Sequence, residues 1–88
     1  MIKGKTNSGF EFELHDEVLD NMELLELMVE VQNGNPAALI PSFKMILGDE
    51  QRKALYDHLR TEDGRVPVKA AAEAFAEIVK AAKNKGKN

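Results

Sequence analysis

Ten consecutive residues, Met22 to Val31, constrain the fold of this 88-residue chain more than any other stretch. Seven are apolar (Met22, Leu24, Leu25, Leu27, Met28, Val29 and Val31), and the other three are Glu23, Glu26 and Glu30. Wound as an α-helix, the glutamates fall within about a 60° stripe and leave about 220° of the surface apolar. A helix covering one wall of a small core needs an apolar stripe of only about 100° or somewhat more. Two arrangements can absorb the surplus. The helix is enclosed on both sides by its own chain, or part of its surface awaits another protein, as contiguous apolar patches on soluble domains usually do.

Length allows one small domain with a single core of modest burial. Cysteine is absent, which removes disulfides, thiolate metal sites and a cysteine nucleophile. No segment approaches 18 consecutive apolar residues, and Met1-Ile2-Lys3-Gly4-Lys5 lacks the apolar run of a signal peptide. The expectation is an intracellular soluble protein with no membrane partner.

The net charge of −3 conceals an uneven layout. Between Thr6 and Phe43 there is no Lys or Arg, whereas Glu11, Glu13, Asp16, Glu17, Asp20, Glu23, Glu26 and Glu30 are all acidic. Beyond Glu77 the sign reverses, with Lys80, Lys83, Lys85 and Lys87 and no acid. Two oppositely charged solvated surfaces account for this pattern. So does head-to-tail self-association, or docking of the acidic half on a basic partner. Phosphates would be repelled by the acidic half, so nucleic acid is disfavoured there.

The start of the chain reads as a β-hairpin over residues 2–14. Phe10-Glu11-Phe12-Glu13-Leu14 alternates strictly, and Ile2-Lys3-Gly4-Lys5-Thr6 forms a shorter partner. Asn7-Ser8-Gly9 suits a three-residue loop, a type I turn closed by a left-handed glycine. That loop sets Lys5 opposite Glu11, Lys3 opposite Glu13 and Ile2 opposite Leu14, each charge pair worth a few tenths to about 1 kcal/mol. The face of Phe10, Phe12 and Leu14 must then lie on helices, because two strands alone are marginal.

Asp16 or Asp20 can cap the first helix, and Gly34 can end it. Pro41 argues against one helix running on from Asn35. A short turn followed by a helix from near Pro41 is expected, with Leu39, Ile40, Phe43, Ile46 and Leu47 inward. Gly48 breaks that helix, and Asp49 caps a third one through about Arg60, with Leu55 and Leu59 as its seam. Pro67 opens a last helix reaching about Lys83, with Val68, Ala71, Ala72, Phe75, Ile78, Val79 and Ala82 on one face. The predicted fold is mainly α: a small bundle of about four helices behind a short N-terminal β-hairpin. Residues 1–83 form one domain, and 84–88 a flexible basic tail.

A search for chemistry finds little. His15 and His58 are the only imidazoles, and Tyr56, Asp57 and His58 diverge on a helix rather than converge. No spacing suggests a metal site, and the glycines sit at element ends rather than in a phosphate-cradling loop. An enzyme, and any cofactor, is not expected. Leu47 to Arg60 could pass for half of a helix-turn-helix, but Arg52, Lys53 and Arg60 there are offset by Asp49, Glu50 and Asp57.

From end to end the chain resembles the tail assembly chaperones of long-tailed, siphovirus-type bacteriophages. The resemblance rests on the order of its parts. These are Ser8-Gly9-Phe10-Glu11-Phe12-Glu13-Leu14, Val18-Leu19-Asp20-Asn21-Met22-Glu23-Leu24-Leu25-Glu26, Gly34-Asn35-Pro36, Ile46-Leu47-Gly48-Asp49-Glu50-Gln51 and Glu62-Asp63-Gly64-Arg65-Val66-Pro67-Val68. It implies a mainly helical, non-enzymatic protein that binds the tape-measure protein, or another helical tail protein, in the host cytoplasm and is absent from the finished virion. It also implies a −1 ribosomal frameshift near the end of the frame, for which Ala82-Lys83-Asn84 and Gly86-Lys87-Asn88 have the right residues. A small helical nucleic-acid-binding phage regulator and a structural subunit retained in the particle are the alternatives.

The wide apolar arc supports partner binding independently of that resemblance. Met22 and Met28 are flexible, adaptable contacts, and the rimming glutamates would keep the surface hydrated when empty. Met22, Leu24, Leu27, Met28 and Val31 are assigned to the contact surface, and Leu25 and Val29 to the core.

Overall fold

The computed structural model describes residues 1–85. Strands β1 (Ile2–Lys5) and β2 (Glu11–Leu14) form an antiparallel hairpin. Its register is the expected one: Ile2 faces Leu14, Lys3 faces Glu13, Gly4 faces Phe12 and Lys5 faces Glu11. The turn follows from its residues. Gly9 takes φ 98°, its N–H donates to the Thr6 carbonyl at 2.9 Å, and the Thr6 N–H donates to the Phe10 carbonyl at 2.9 Å. Lys3 Nζ closes to 3.6 Å from Glu13 on the solvent face. On the other face Ile2, Phe10, Phe12 and Leu14 are buried, with β1 against the last helix and β2 against the second.

The acidic link turns twice, with Val18 N–H on the His15 carbonyl and Asp20 N–H on the Glu17 carbonyl, and presses Val18 and Leu19 onto the core. Helix α1 spans Met22–Gln32. Its cap is Asn21, not Asp16 or Asp20: Asn21 Oδ1 accepts the Glu23 and Leu24 N–H groups at 3.0 and 3.4 Å. Asn21 is the last extended residue, so its side chain alone reaches the first free donors, while Asp16 pairs with the Met1 ammonium at 2.9 Å. The helix ends as expected at Gly34, φ 94°. Gly34 N–H donates to the Val31 carbonyl and Asn35 N–H to the Glu30 carbonyl, the two reversed bonds of a Schellman motif.

A 3₁₀ turn, Pro36–Ala38, leads into α2, Leu39–Leu59. Pro41 is tolerated because it lies in the first turn, where a missing N–H breaks no helical bond. Ser42, fully buried, donates its hydroxyl to the Ala38 carbonyl at 2.7 Å. At Gly48, with φ 75° and ψ 170°, the helix breaks, and it resumes at once with no intervening loop. Among the described residues the bundle therefore has three helices, the second broken, rather than about four. Leu39, Phe43, Ile46, Leu47 and Leu55 of α2 enter the core as expected, but Ile40 is 50% exposed. The 3₁₀ turn starts the helix two residues before Pro41 and rotates Ile40 outward.

Thr61 N–H donates to the Arg65 carbonyl and Gly64 N–H to the Thr61 carbonyl, closing a tight loop before α3, Val68–Lys85. Ala71, Ala74, Phe75, Ile78, Val79 and Ala82 bury one face of α3, while Val68, expected inside, is 60% exposed at its first turn. The helix includes Asn84 and Lys85, assigned above to the tail; residues 86–88 of that tail lie outside the described residues. Phe43 sits at the centre of the core, edge-to-face with Phe75 at 5.4 Å and with Tyr56 at 6.1 Å.

Candidate partner-binding face

Helix α1 divides its apolar arc in two. Leu24 is 1% exposed and belongs to the core, and Met28 and Val31 are half-buried against it. Leu27 is also half-buried. On the other half of the arc, Met22 is 71%, Leu25 51% and Val29 47% exposed. The assignment made from sequence is corrected at three positions. Leu24 leaves the contact surface for the core, and Leu25 and Val29 leave the core for the surface. The cause is the width of the arc: either half could face inward, and Leu24, Met28 and Val31 are the residues that reach the aromatic core. Met22 stays on the surface as expected.

The exposed half adjoins a groove. Met28, Val31 and Gln32 of α1 form one wall, and Ala72, Phe75, Ala76 and Val79 of α3 the other, around a volume of about 310 Å³. Lys80 and Lys83 line the α3 side. Leu25 and Gln32 lie one helical turn from Met28 on either side, so the exposed stripe continues the α1 wall without a polar interruption other than Gln32. Across this face the order is acidic, apolar, groove, apolar, basic. It starts at Glu23, Glu26 and Glu30 and ends at Lys80 and Lys83. Among the described residues no ion pair takes up Glu23, Glu26, Lys80 or Lys83.

The two helices run antiparallel beside the groove. Val18 and Leu19, just before α1, pack with Ile78, Val79 and Ala82 near the end of α3. Pro36 and Ala37, just after α1, share a cup with Val68 and Ala71 at the start of α3.

That cup is a second apolar concavity, of about 270 Å³, floored by Phe43 and Tyr56 with Ile40 and Val68 at its lip. Sequence reasoning missed it because it placed both lip residues inside. A third, larger hollow of about 520 Å³ lies between Ser8, Leu59 and α3 and carries Glu73 and Glu77. Glu77 is tied to the hairpin turn, accepting the Asn7 N–H at 2.8 Å.

His58 packs on the same turn, donating from Nε2 to the Ser8 carbonyl at 2.9 Å with its ring 5.8 Å from Phe10. Its role there is to hold the hairpin. Among the described residues no three His, Asp or Glu side chains are placed to hold a metal ion, and no helix is long and apolar enough to cross a membrane. Asp63 has its carboxyl held below the usual value, first by the Thr61 hydroxyl and then by the Arg65 N–H. It lies in the exposed loop before α3, away from the groove. The chain matches no protein-family model, and no curated protein or solved structure matches it.

Proposed function

We propose that this chain is a non-enzymatic assembly chaperone that shields an apolar helix of a larger protein. The resemblance to tail assembly chaperones implies that this partner is the tape-measure protein of a long-tailed phage, held in the host cytoplasm before the tail is built. The observation that carries the reading is the α1 face. Met22, Leu25 and Val29 are exposed at i, i+3 and i+7, beside a groove walled by Met28, Val31, Phe75 and Val79. Anchors at that spacing are how one amphipathic helix meets another in a groove. The partner's residues would replace water along the stripe, and the flanking glutamates would keep the empty face soluble.

The test is co-expression with the tape-measure protein. The unaltered chain should keep it soluble and co-purify with it, whereas Leu25→Asp or Val29→Asp should lose it while the helical circular dichroism spectrum persists. Retention of binding by both variants would remove the reading. A regulator of DNA would instead bind duplex with a steep salt dependence. A structural subunit would be found by mass spectrometry of purified virions.

A further inference from the structure

We infer that the α1–α3 face takes a partner helix whose apolar stripe has acidic residues along one flank and basic residues along the other, and takes it in one direction only. This rests on the reading that the face binds a helix, and it specifies which helices are accepted. The argument is one of charge at the two lips of the face.

On α3 the groove wall turns basic as it rises. Val79, Ala72, Lys83, Ala76 and Lys80 succeed one another from the floor over about 100° of the helix, and all five line the groove. Lys69, exposed near the start of α3, falls between Ala76 and Lys80 in this order. Glu73 comes about 20° beyond Lys80. With Glu77 it lines the separate hollow beside Ser8 and Leu59. Among the described residues no carboxylate lines the groove itself.

On α1 the lip is acidic. From Met28 in the wall, Gln32, Leu25, Val29 and Met22 succeed one another over about 120°, and Glu26 follows about 40° beyond Met22. Glu30 and Glu23 lie behind it, and all three acids are exposed. Neither lip is neutralised by an ion pair among the described residues.

A helix lying apolar side down presents one flank to each lip. Its charges are read by side rather than by height, so the two lips need no lengthwise register with each other. Acid toward α3 and base toward α1 satisfies both lips, whereas uniform charge of either sign satisfies one and is repelled by the other. Reversing the helix exchanges its flanks, and the same partner then meets like charge on both sides. The apolar stripe supplies contact without direction; the lips supply direction.

The test uses the full chain and three fluorescein-labelled helical peptides that share one leucine stripe. The first carries Glu on one flank and Lys on the other, the second Glu on both, the third Lys on both. Net charge alone would favour the third and disfavour the second, because the chain carries −3. Fluorescence anisotropy at about 0.15 M salt should instead show the mixed peptide bound at least about fivefold more tightly than either uniform one. Lys80→Glu with Lys83→Glu should shift the preference to the all-Lys peptide, and Glu23→Lys with Glu26→Lys to the all-Glu one. All four sites are exposed, and the helical spectrum should be unchanged. The chain has no cysteine, so a dye on Asn33→Cys, exposed at the end of α1, reports direction. Energy transfer should be efficient to one end of the mixed peptide and weak to the other. Equal transfer to both ends, or an affinity order that follows net charge and that neither pair of substitutions shifts, overturns the inference and leaves the proposed function standing. Failure of all three peptides to bind overturns the face as a helix site altogether.

Discussion

The side-chain amide of Gln51 holds both outward-facing backbone groups of Glu13. Its Oε1 accepts the Glu13 N–H at 2.8 Å, and its Nε2 donates to the Glu13 carbonyl at 2.8 Å. Nε2 also donates to the Leu47 carbonyl at 3.0 Å, just before the break at Gly48. Glu13 faces Lys3 at a position of the hairpin where N–H and C=O point away from the neighbouring strand. Left free, these groups would template another strand. One glutamine therefore blunts the β2 edge and joins it to the restart of α2. Gln51→Ala should cost about 0.5–1.5 kcal/mol, since water can take over the freed groups of the exposed edge. Gln51→Glu should cost at least as much, because it sets a carboxylate against two carbonyls. Urea denaturation of both variants, with light scattering to detect edge association, checks this.

Two glycines are required for different reasons, and their alanine variants should separate them. Gly48 lies at φ 75°, ψ 170°, a region closed to side chains, yet nothing stands within 4 Å of where a Cβ would go. Gly48→Ala should cost about 1–3 kcal/mol in backbone strain, and no change in neighbouring side chains should relieve it. A Cβ on Gly4 would lie 2.6 Å from Cζ of Phe12, whose ring crosses the strand at that point. Gly4→Ala should cost a similar ~1–3 kcal/mol, but as overpacking. Trimming the ring with Phe12→Leu should then return part of it in a double-mutant cycle.

Asp63 links pH to the loop before α3. Its carboxyl is held below 3.8 by the Thr61 hydroxyl first and the Arg65 N–H second. A folded value below the unfolded one stabilises the loop above the unfolded value, and that contribution is lost as pH falls through the folded one. Thr61→Val should raise the Asp63 value toward 3.8, read from the carboxyl chemical shift during an NMR titration. The variant should be less stable than the parent at neutral pH, and this share of the difference should vanish once both carboxyls are protonated. A difference unchanged into strong acid would show that Thr61 acts through its other contact, on the Arg65 carbonyl.

The hairpin was legible because its determinants are local. Asn7-Ser8-Gly9 dictates a loop length, loop length dictates register, and the Lys3–Glu13 pair agrees with both. The ends of α1 were legible in part. Gly34 takes positive φ with no Cβ to oppose it, whereas Asn21 was hidden among acids that could cap equally well. Ile40 and Val68 were misplaced because a 3₁₀ turn and a helix N-terminus rotate side chains by amounts that periodicity does not encode. For α1 itself, periodicity defines which residues share a side but not which side turns inward. An ordinary stripe would have settled that, since only one side would be apolar. Here the arc is wide enough for either, and packing against α2, distant in sequence from much of α1, decides it.

Leu24 and Leu25 are therefore the pair that tests the orientation of α1. They are adjacent, chemically identical and about 100° apart on the helix, so any difference between them reflects direction alone. Leu24→Ala removes a fully buried side chain and should cost about 2–5 kcal/mol, a large part of the ~5–15 kcal/mol that holds small domains folded. Leu25→Ala empties a half-exposed position and should change stability by no more than about 0.5 kcal/mol, while weakening whatever the face binds. Urea denaturation measures the first quantity, and sedimentation or co-purification the second. If Leu25→Ala were the unstable variant and Leu24→Ala the one that lost its partner, α1 would have to be turned by a quarter to a third of a revolution. The stripe of Glu23, Glu26 and Glu30 would move with it through the same angle.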